Sequence, residues 1–161
     1  MATLATGLLE IVIGNSRASS VVTTVGTNLI IGTMATTTTS IGSVIKYLVT
    51  SNQPGMNEII NVLTMTDLEY TVNVIQQVIR EQECKQLHES IIKALMGVGE
   101  ILNKINGELE SIKYAMDYHQ TKYFSSWRSF TWNGNLETIK QHNNILKHRY
   151  TILFELLKIY G

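Results

Sequence analysis

Between Arg17 and Lys46 the chain runs for 28 residues without a charged side chain. Residues 18–45 hold 12 hydrophobic residues, eight Thr, four Ser, three Gly and one Asn. Few environments suit such a segment. Its length would allow a membrane span, which needs ~20 residues. Its composition argues against one, because fewer than half of the residues are hydrophobic and Thr36-Thr37-Thr38-Thr39-Ser40 is polar throughout. A lipid-facing helix carries Leu and Ile on all sides. The favoured reading is a segment covered by protein, with a span over residues 18–45 and a disordered arm as the alternatives.

Helix and strand compete in this segment. Val, Ile and Thr favour strands, and Ile11-Val12-Ile13-Gly14-Asn15-Ser16 could end a strand in a turn. Against that, Val22, Val25 and Leu29, and later Ile41, Ile45 and Leu48, follow three-four spacing, which favours a helix. Ala18, Gly26, Gly32 and Ala35 would let a second helix approach closely, although no GxxxG pair occurs. A helix of this composition draws little from intrinsic propensity, so its order depends on what packs around it. Residues 1–53 are therefore expected to form an uncharged N-terminal docking arm. A fragment lacking 1–50 should stay soluble and helical, and the isolated chain should be nicked before Met56.

Pro54-Gly55 marks the break to a helical domain spanning 56–161. A short helix is expected over Asn57–Met65. Thr66-Asp67-Leu68-Glu69 then fits a capping box, Thr66 and Glu69 satisfying first-turn amides reciprocally. Leu68, Val72, Ile75 and Ile79 make the next apolar stripe, and Glu81–Gln86 reads as a junction. Leu87, Ile91, Leu95, Val98, Leu102, Ile105, Leu109, Ile112 and Met116 approach a coiled-coil seam. Gly97, Gly99 and Gly107 interrupt it, each costing ~1 kcal/mol against Ala if exposed, or marking the close approach of another backbone.

Asn135 can cap a last helix, in which Leu136, Ile139, Asn143, Leu146, Tyr150, Leu153, Leu157 and Tyr160 alternate three and four. A seam Asn such as Asn143 costs stability and fixes register; an edge open to water is the other reading. The fold class is all-α, a hairpin or bundle of long amphipathic helices behind a Thr/Gly/Ser-rich N-terminal arm. Residues 56–118 hold five Lys/Arg against ten Asp/Glu, while 119–161 hold six against two. The two long helices are therefore expected side by side and antiparallel.

At 161 residues and 18.1 kDa there is material for one domain. Zero net charge speaks against steering toward nucleic acid. The first cation, Arg17, lies too late for a secretory signal. The single cysteine, Cys84, excludes an intrachain disulfide and leaves a crosslink between two copies open. Cys84 and His88 would share a helix face, but no second Cys, HxxxH or Glu-x-x-His accompanies them. No phosphate-binding glycine loop occurs. The chain is expected to be no enzyme and to need no cofactor or metal.

The densest cluster is Tyr123-Phe124-Ser125-Ser126-Trp127-Arg128-Ser129-Phe130-Thr131-Trp132. Trp, Tyr and Arg dominate interface hot spots, and such mixtures also stack nucleobases. A plug over the end of the helical hairpin is the leading reading. Partner binding through Tyr123, Phe124, Trp127, Arg128, Phe130 and Trp132 is the second.

The run Ile112–Arg128, with its Tyr118-His119 and Phe124-Ser125-Ser126-Trp127-Arg128, and the later Lys140-Gln141-His142-Asn143-Asn144-Ile145-Leu146 with Arg149 resemble small helical virion proteins of nucleocytoplasmic large DNA viruses. The resemblance covers residues 40–158 in organisation, and only the connector is specific in letters. It implies a minor capsid protein of cement or scaffold type, stabilising contacts between major capsid capsomers. Its partners would be the major capsid protein and other minor capsid proteins, with self-association open, nucleic acid not expected, and contact with an inner viral membrane not favoured. Its location would be the virion shell, after assembly in the host cytoplasm. An adaptor anchored in a membrane through 18–45 is the alternative.

Overall fold

The computed structural model describes the backbone of residues 16–51, 56–120 and 132–161, and the side chains of 25–51, 56–118 and 132–161. These residues form five helices and, among the described residues, no strand: α1 (Ser16–Thr50), α2 (Met56–Thr66), α3 (Leu68–Glu81), α4 (Glu89–Gln120) and α5 (Asn133–Tyr160). The protein is all-α, as its periodicity predicts.

Thr-rich α1 is held as a helix by the packing of Ile31, Met34, Ile41, Ile45 and Leu48, and its hydroxyls bond their own backbone. Thr33, Thr36, Thr37, Thr39 and Ser43 each donate to the carbonyl four residues earlier, at 2.9–3.0 Å. Thr38 bonds Ala35 O three residues back. This back-bonding satisfies groups that would otherwise compete with the helix. It leaves the methyl groups as surface.

Four helices pack in a ring in which α1 meets α3 and α4, and α5 meets α3 and α4. The α1–α4 pair is parallel. Thr37 Oγ1 lies 2.8 Å from Asn103 Oδ1 and shares its one proton between that oxygen and Thr33 O, while Ser40 Oγ donates to Glu110 Oε1 (3.4 Å) and the Tyr47 hydroxyl to Asp117 Oδ1. The α4–α5 pair is antiparallel, as expected. Arg149 Nη1 donates to Gly97 O (2.6 Å) and Glu100 Oε2 (3.1 Å), and Asn135 Nδ2 to Glu108 Oε2 (2.8 Å). Antiparallel to α1, α3 places Asp67 beside Val49, and Gln76 Nε2 donates to Thr39 Oγ1.

The seams carry the core. All nine residues from Leu87 to Met116 picked out by their spacing are buried, as are Leu68, Val72, Ile75 and Ile79. The same core takes in Ile31, Met34, Ile41, Val44, Ile45 and Leu48 of α1. It therefore runs across the division expected at residues 53–56. Burying a Leu or Ile side chain stabilises by ~1.5–3 kcal/mol, so these six residues are integral to the bundle. Removing 1–50 would therefore uncover the faces of α3 and α4 that α1 covers.

Two expected caps are not formed. Thr66 ends α2 and its hydroxyl donates to Val62 O (2.8 Å) and Leu63 O (3.2 Å). Asp67, left-handed at φ 53°, precedes α3 without a side-chain cap. The left-handed residue breaks the geometry a capping box needs, and Asp tolerates that conformation better than most. Asn135 lies inside α5, which starts after Trp132, and it spends its amide on Glu108 instead of a cap.

Candidate partner-binding face

The apolar residues of α1 lie on two opposite faces. Ile41, Ile45 and Leu48 point into the core, with Ile41 fully buried. Val25 and Leu29, read from spacing as part of the same pattern, point outward at 64% and 71% exposure. Sixteen residues separate Val25 from Ile41, and at 100° per residue that is a rotation of about 160°. The outward register continues through Gly32, Thr36, Thr39 and Ser43, none of them charged. The hydroxyls of Thr36, Thr39 and Ser43 donate to the helix's own carbonyls, and Thr39 Oγ1 also accepts from Gln76 Nε2.

Beside this strip is a groove of ≈ 430 Å³ lined by Leu29, Ile30, Thr33, Met34, Met96 and Gly99 of α1 and α4, with Thr37, Glu100 and Asn103 at its polar edge. Met96 is 56% exposed. Gly99 allows α1 to come this near, since a Cβ there would sit 3.1 Å from Met34 Cγ. Of the three α4 glycines none meets another backbone: Gly99 faces the Met34 side chain and Gly107 faces open space. At Gly97 the neighbour is Arg149, 3.8 Å away.

The outer faces of α4 and α5 carry paired charges, α5 beside exposed Ile145, Ile152, Phe154 and Ile159. On α4, Lys93–Glu89 (2.8 Å), Lys104–Glu100 (2.7 Å) and Lys113–Glu110 (3.8 Å) pair along the helix. On α5, Lys140–Glu137 and Lys158–Glu155 do the same. Among the described residues one ion pair joins α4 and α5, Arg149–Glu100, and it shares its carboxylate with Lys104. Hydrogen bonds from Lys104, then from Arg149, hold the Glu100 carboxyl below its usual value. Glu89 is lowered and Lys93 raised by their mutual hydrogen bond. Burial raises the Tyr150 phenol, followed by the effects of Tyr70 and Glu81.

Asn143 is 1% exposed, and its Nδ2 donates to Thr66 O (3.0 Å), tying α5 to the last turn of α2. Its Oδ1 is buried without a protein hydrogen-bond partner. Trp132 is buried against the core at the start of α5. Tyr123, Phe124, Trp127, Arg128 and Phe130 lie outside the described residues. Cys84 is exposed and left-handed (φ 62°) in the turn after α3. Because α4 begins at Glu89, Cys84 and His88 share no helix. The His88 ring stacks on Tyr160 at 4.2 Å, and its Nδ1 accepts from the Ser90 amide.

Among the described residues no group of three or more His, Cys, Asp or Glu could hold a metal ion. No described helix is long and apolar enough to cross a membrane. Comparison of the chain with protein families, with characterised proteins and with solved structures finds no match. The functional reading therefore rests on the geometry and on the connector's resemblance.

The outward face of α1 was missed as a site at the sequence level. Its signal was present: a half-turn change of face between the Val25–Leu29 and Ile41–Leu48 groups.

Proposed function

We propose that this chain is a non-catalytic structural protein that works by being packed between other subunits, as a minor capsid protein of cement type in a large icosahedral DNA virus. The observation that carries the packing role is the charge-free outer face of α1 beside the Leu29–Met96 groove. Exposed apolar surface rimmed by polar residues is how interaction sites present themselves. A cement protein presents one face to neighbours and a solvated face elsewhere. The paired charges of α4 and α5 supply the second. The capsid assignment comes from the resemblance of the Tyr118–Arg128 connector, and the partners it implies are the major capsid protein and other minor capsid proteins.

Quantitative mass spectrometry of virions purified from cells that make the chain tests this reading. A fixed ratio to the major capsid protein, retained after detergent removes lipid, is the expected result. Abundant chain in the cells with none in the particles would overturn it.

A further inference from the structure

We propose that the groove between α3 and α5 receives an amphipathic helix of another subunit, running antiparallel to both, with its N-terminus at Gln82 and its last turn at Lys147. This goes beyond the docking role given to α1 and uses a different face.

α3 and α5 run in the same direction and hold an open seam between them. Thr71 and Val74 line one hollow of ≈ 210 Å³ with Lys147 and Tyr150. Val78 and Gln82 line a second, of ≈ 200 Å³, with Phe154 and Leu157. Val74 and Val78 are one turn apart, as are Tyr150 and Phe154, so the two hollows continue end to end. From Lys147 to Lys158 the groove extends roughly 16 Å, the length of a three-turn helix. Its lining is aliphatic and ring surface, with Phe154 44% exposed and Tyr150 stacked beside it at 6.3 Å. A groove of this make takes the apolar face of a helix.

The two ends of the groove differ in charge. Lys147 stands at one end. The other Lys and Arg side chains of α5, Lys140, Arg149 and Lys158, are ion-paired, whereas Lys147 meets no carboxylate among the described residues. At the far end lies Glu81, which accepts from Gln77 Nε2 (3.1 Å) and meets no cation among the described residues. Lys158 beside it is committed to Glu155 (2.9 Å) and to the Phe154 ring (4.6 Å). A helix carries partial positive charge at its N-terminus and negative charge at its C-terminus. Glu81 therefore suits the first end of a docked helix and Lys147 the last.

Gln82 gives the same direction independently. It is 5% exposed, its Nε2 donates to Val78 O (3.3 Å), and its Oε1 is buried with no hydrogen-bond partner among the described residues. The first turn of a helix brings free amide donors. The helices of this chain already turn their apolar stripes into one core, so the occupant belongs to a different protein.

The test uses the full chain and a synthetic peptide of about three turns, with leucines on one face at three-four spacing and glutamate in the last turn. Fluorescence anisotropy should give a dissociation constant on the order of 10 µM. Phe154→Ser and Lys147→Glu should each weaken it by about tenfold, while Tyr114→Ser, exposed on α4, should leave it unchanged. A peptide with lysine in place of that glutamate should prefer Lys147→Glu to wild type, a reversal that loss of folding does not produce. No binding at on the order of 1 mM would overturn the inference. So would binding indifferent to Phe154→Ser, or equal binding of a peptide with its leucines scattered round the helix. A chain that dimerises in sedimentation equilibrium, and that Phe154→Ser renders monomeric, would give the groove to a second copy and overturn it too. The virion ratio tests the α1 reading separately.

Discussion

α1 and α4 are parallel neighbours of similar length, 35 and 32 residues, and they treat their outer faces in opposite ways. The outer side of α4 is written in charge pairs such as Lys104–Glu100, which hold it in water. The outer side of α1 from Val25 to Ser43 has no charge, and its hydroxyls are bonded to its own backbone. Their inner faces are alike, with Ile41 and Leu48 as buried as Leu95 and Leu102. The lesson is that lack of charge and lack of stability are separate properties. Residues 31–48 of α1 contribute fully to the core while the opposite face of the same helix carries no charge.

The comparison is sharpened most by substitutions at the core. Ile41→Ala should lower stability by about 2–5 kcal/mol, comparable to Leu102→Ala, because both leave cavities in one core. Urea unfolding of the two variants checks this. If Ile41→Ala were silent while Leu102→Ala was costly, the shared core would be refuted.

Asn143→Ala comes next. It strips the donor from Thr66 O and leaves that carbonyl unsatisfied, at a cost of about 1–3 kcal/mol. The loss should appear first as faster amide exchange in α2, the helix that Asn143 anchors.

Arg149→Met is smaller. The guanidinium bridges Gly97 O and the Glu100 carboxylate at partial exposure, so solvent screening limits the loss to about 1 kcal/mol. The pair also sets a pH dependence. The folded Glu100 pKa lies below the unfolded one, so its contribution is complete above the unfolded value and is lost as pH falls through the folded value. Acid melts of wild type and Glu100→Gln should converge in that window, and a gap that persisted below it would contradict the assignment.

Thr36→Ala is the smallest. It removes only a hydroxyl bonded within the helix, so stability should stay within about 0.5 kcal/mol of wild type. Its circular dichroism and melting curve should overlay the wild type.

The seams of α3, α4 and the first half of α5 were legible in the sequence, because nearly every position from Leu68 to Leu153 that repeats at three and four faces the core. Later in α5 the pattern outlasts its partner, and Tyr160 is half-exposed against His88. The caps were not legible. Thr66 followed by Glu69 reads as a start, but only backbone geometry shows Asp67 left-handed and Thr66 closing the helix before it. The Cys84–His88 pairing failed for a similar reason, since spacing presumes a helix that begins only at Glu89. Of the candidate site residues, Asn143 and Trp132 are buried, and the five residues between Tyr123 and Phe130 lie outside the described part. The outward face of α1 was hidden because Val25 and Ile41 look alike in a list of apolar residues and differ only in the angle between them.

Amide hydrogen exchange on the isolated chain tests the central claim most directly. The account predicts that residues 31–48 are protected as strongly as 98–112 and lose protection in the same unfolding event, with no partner present. Rapid exchange across 31–48 while 98–112 stays protected would mean that the front third is not part of the fold, and the two-faced account of α1 would fail with it.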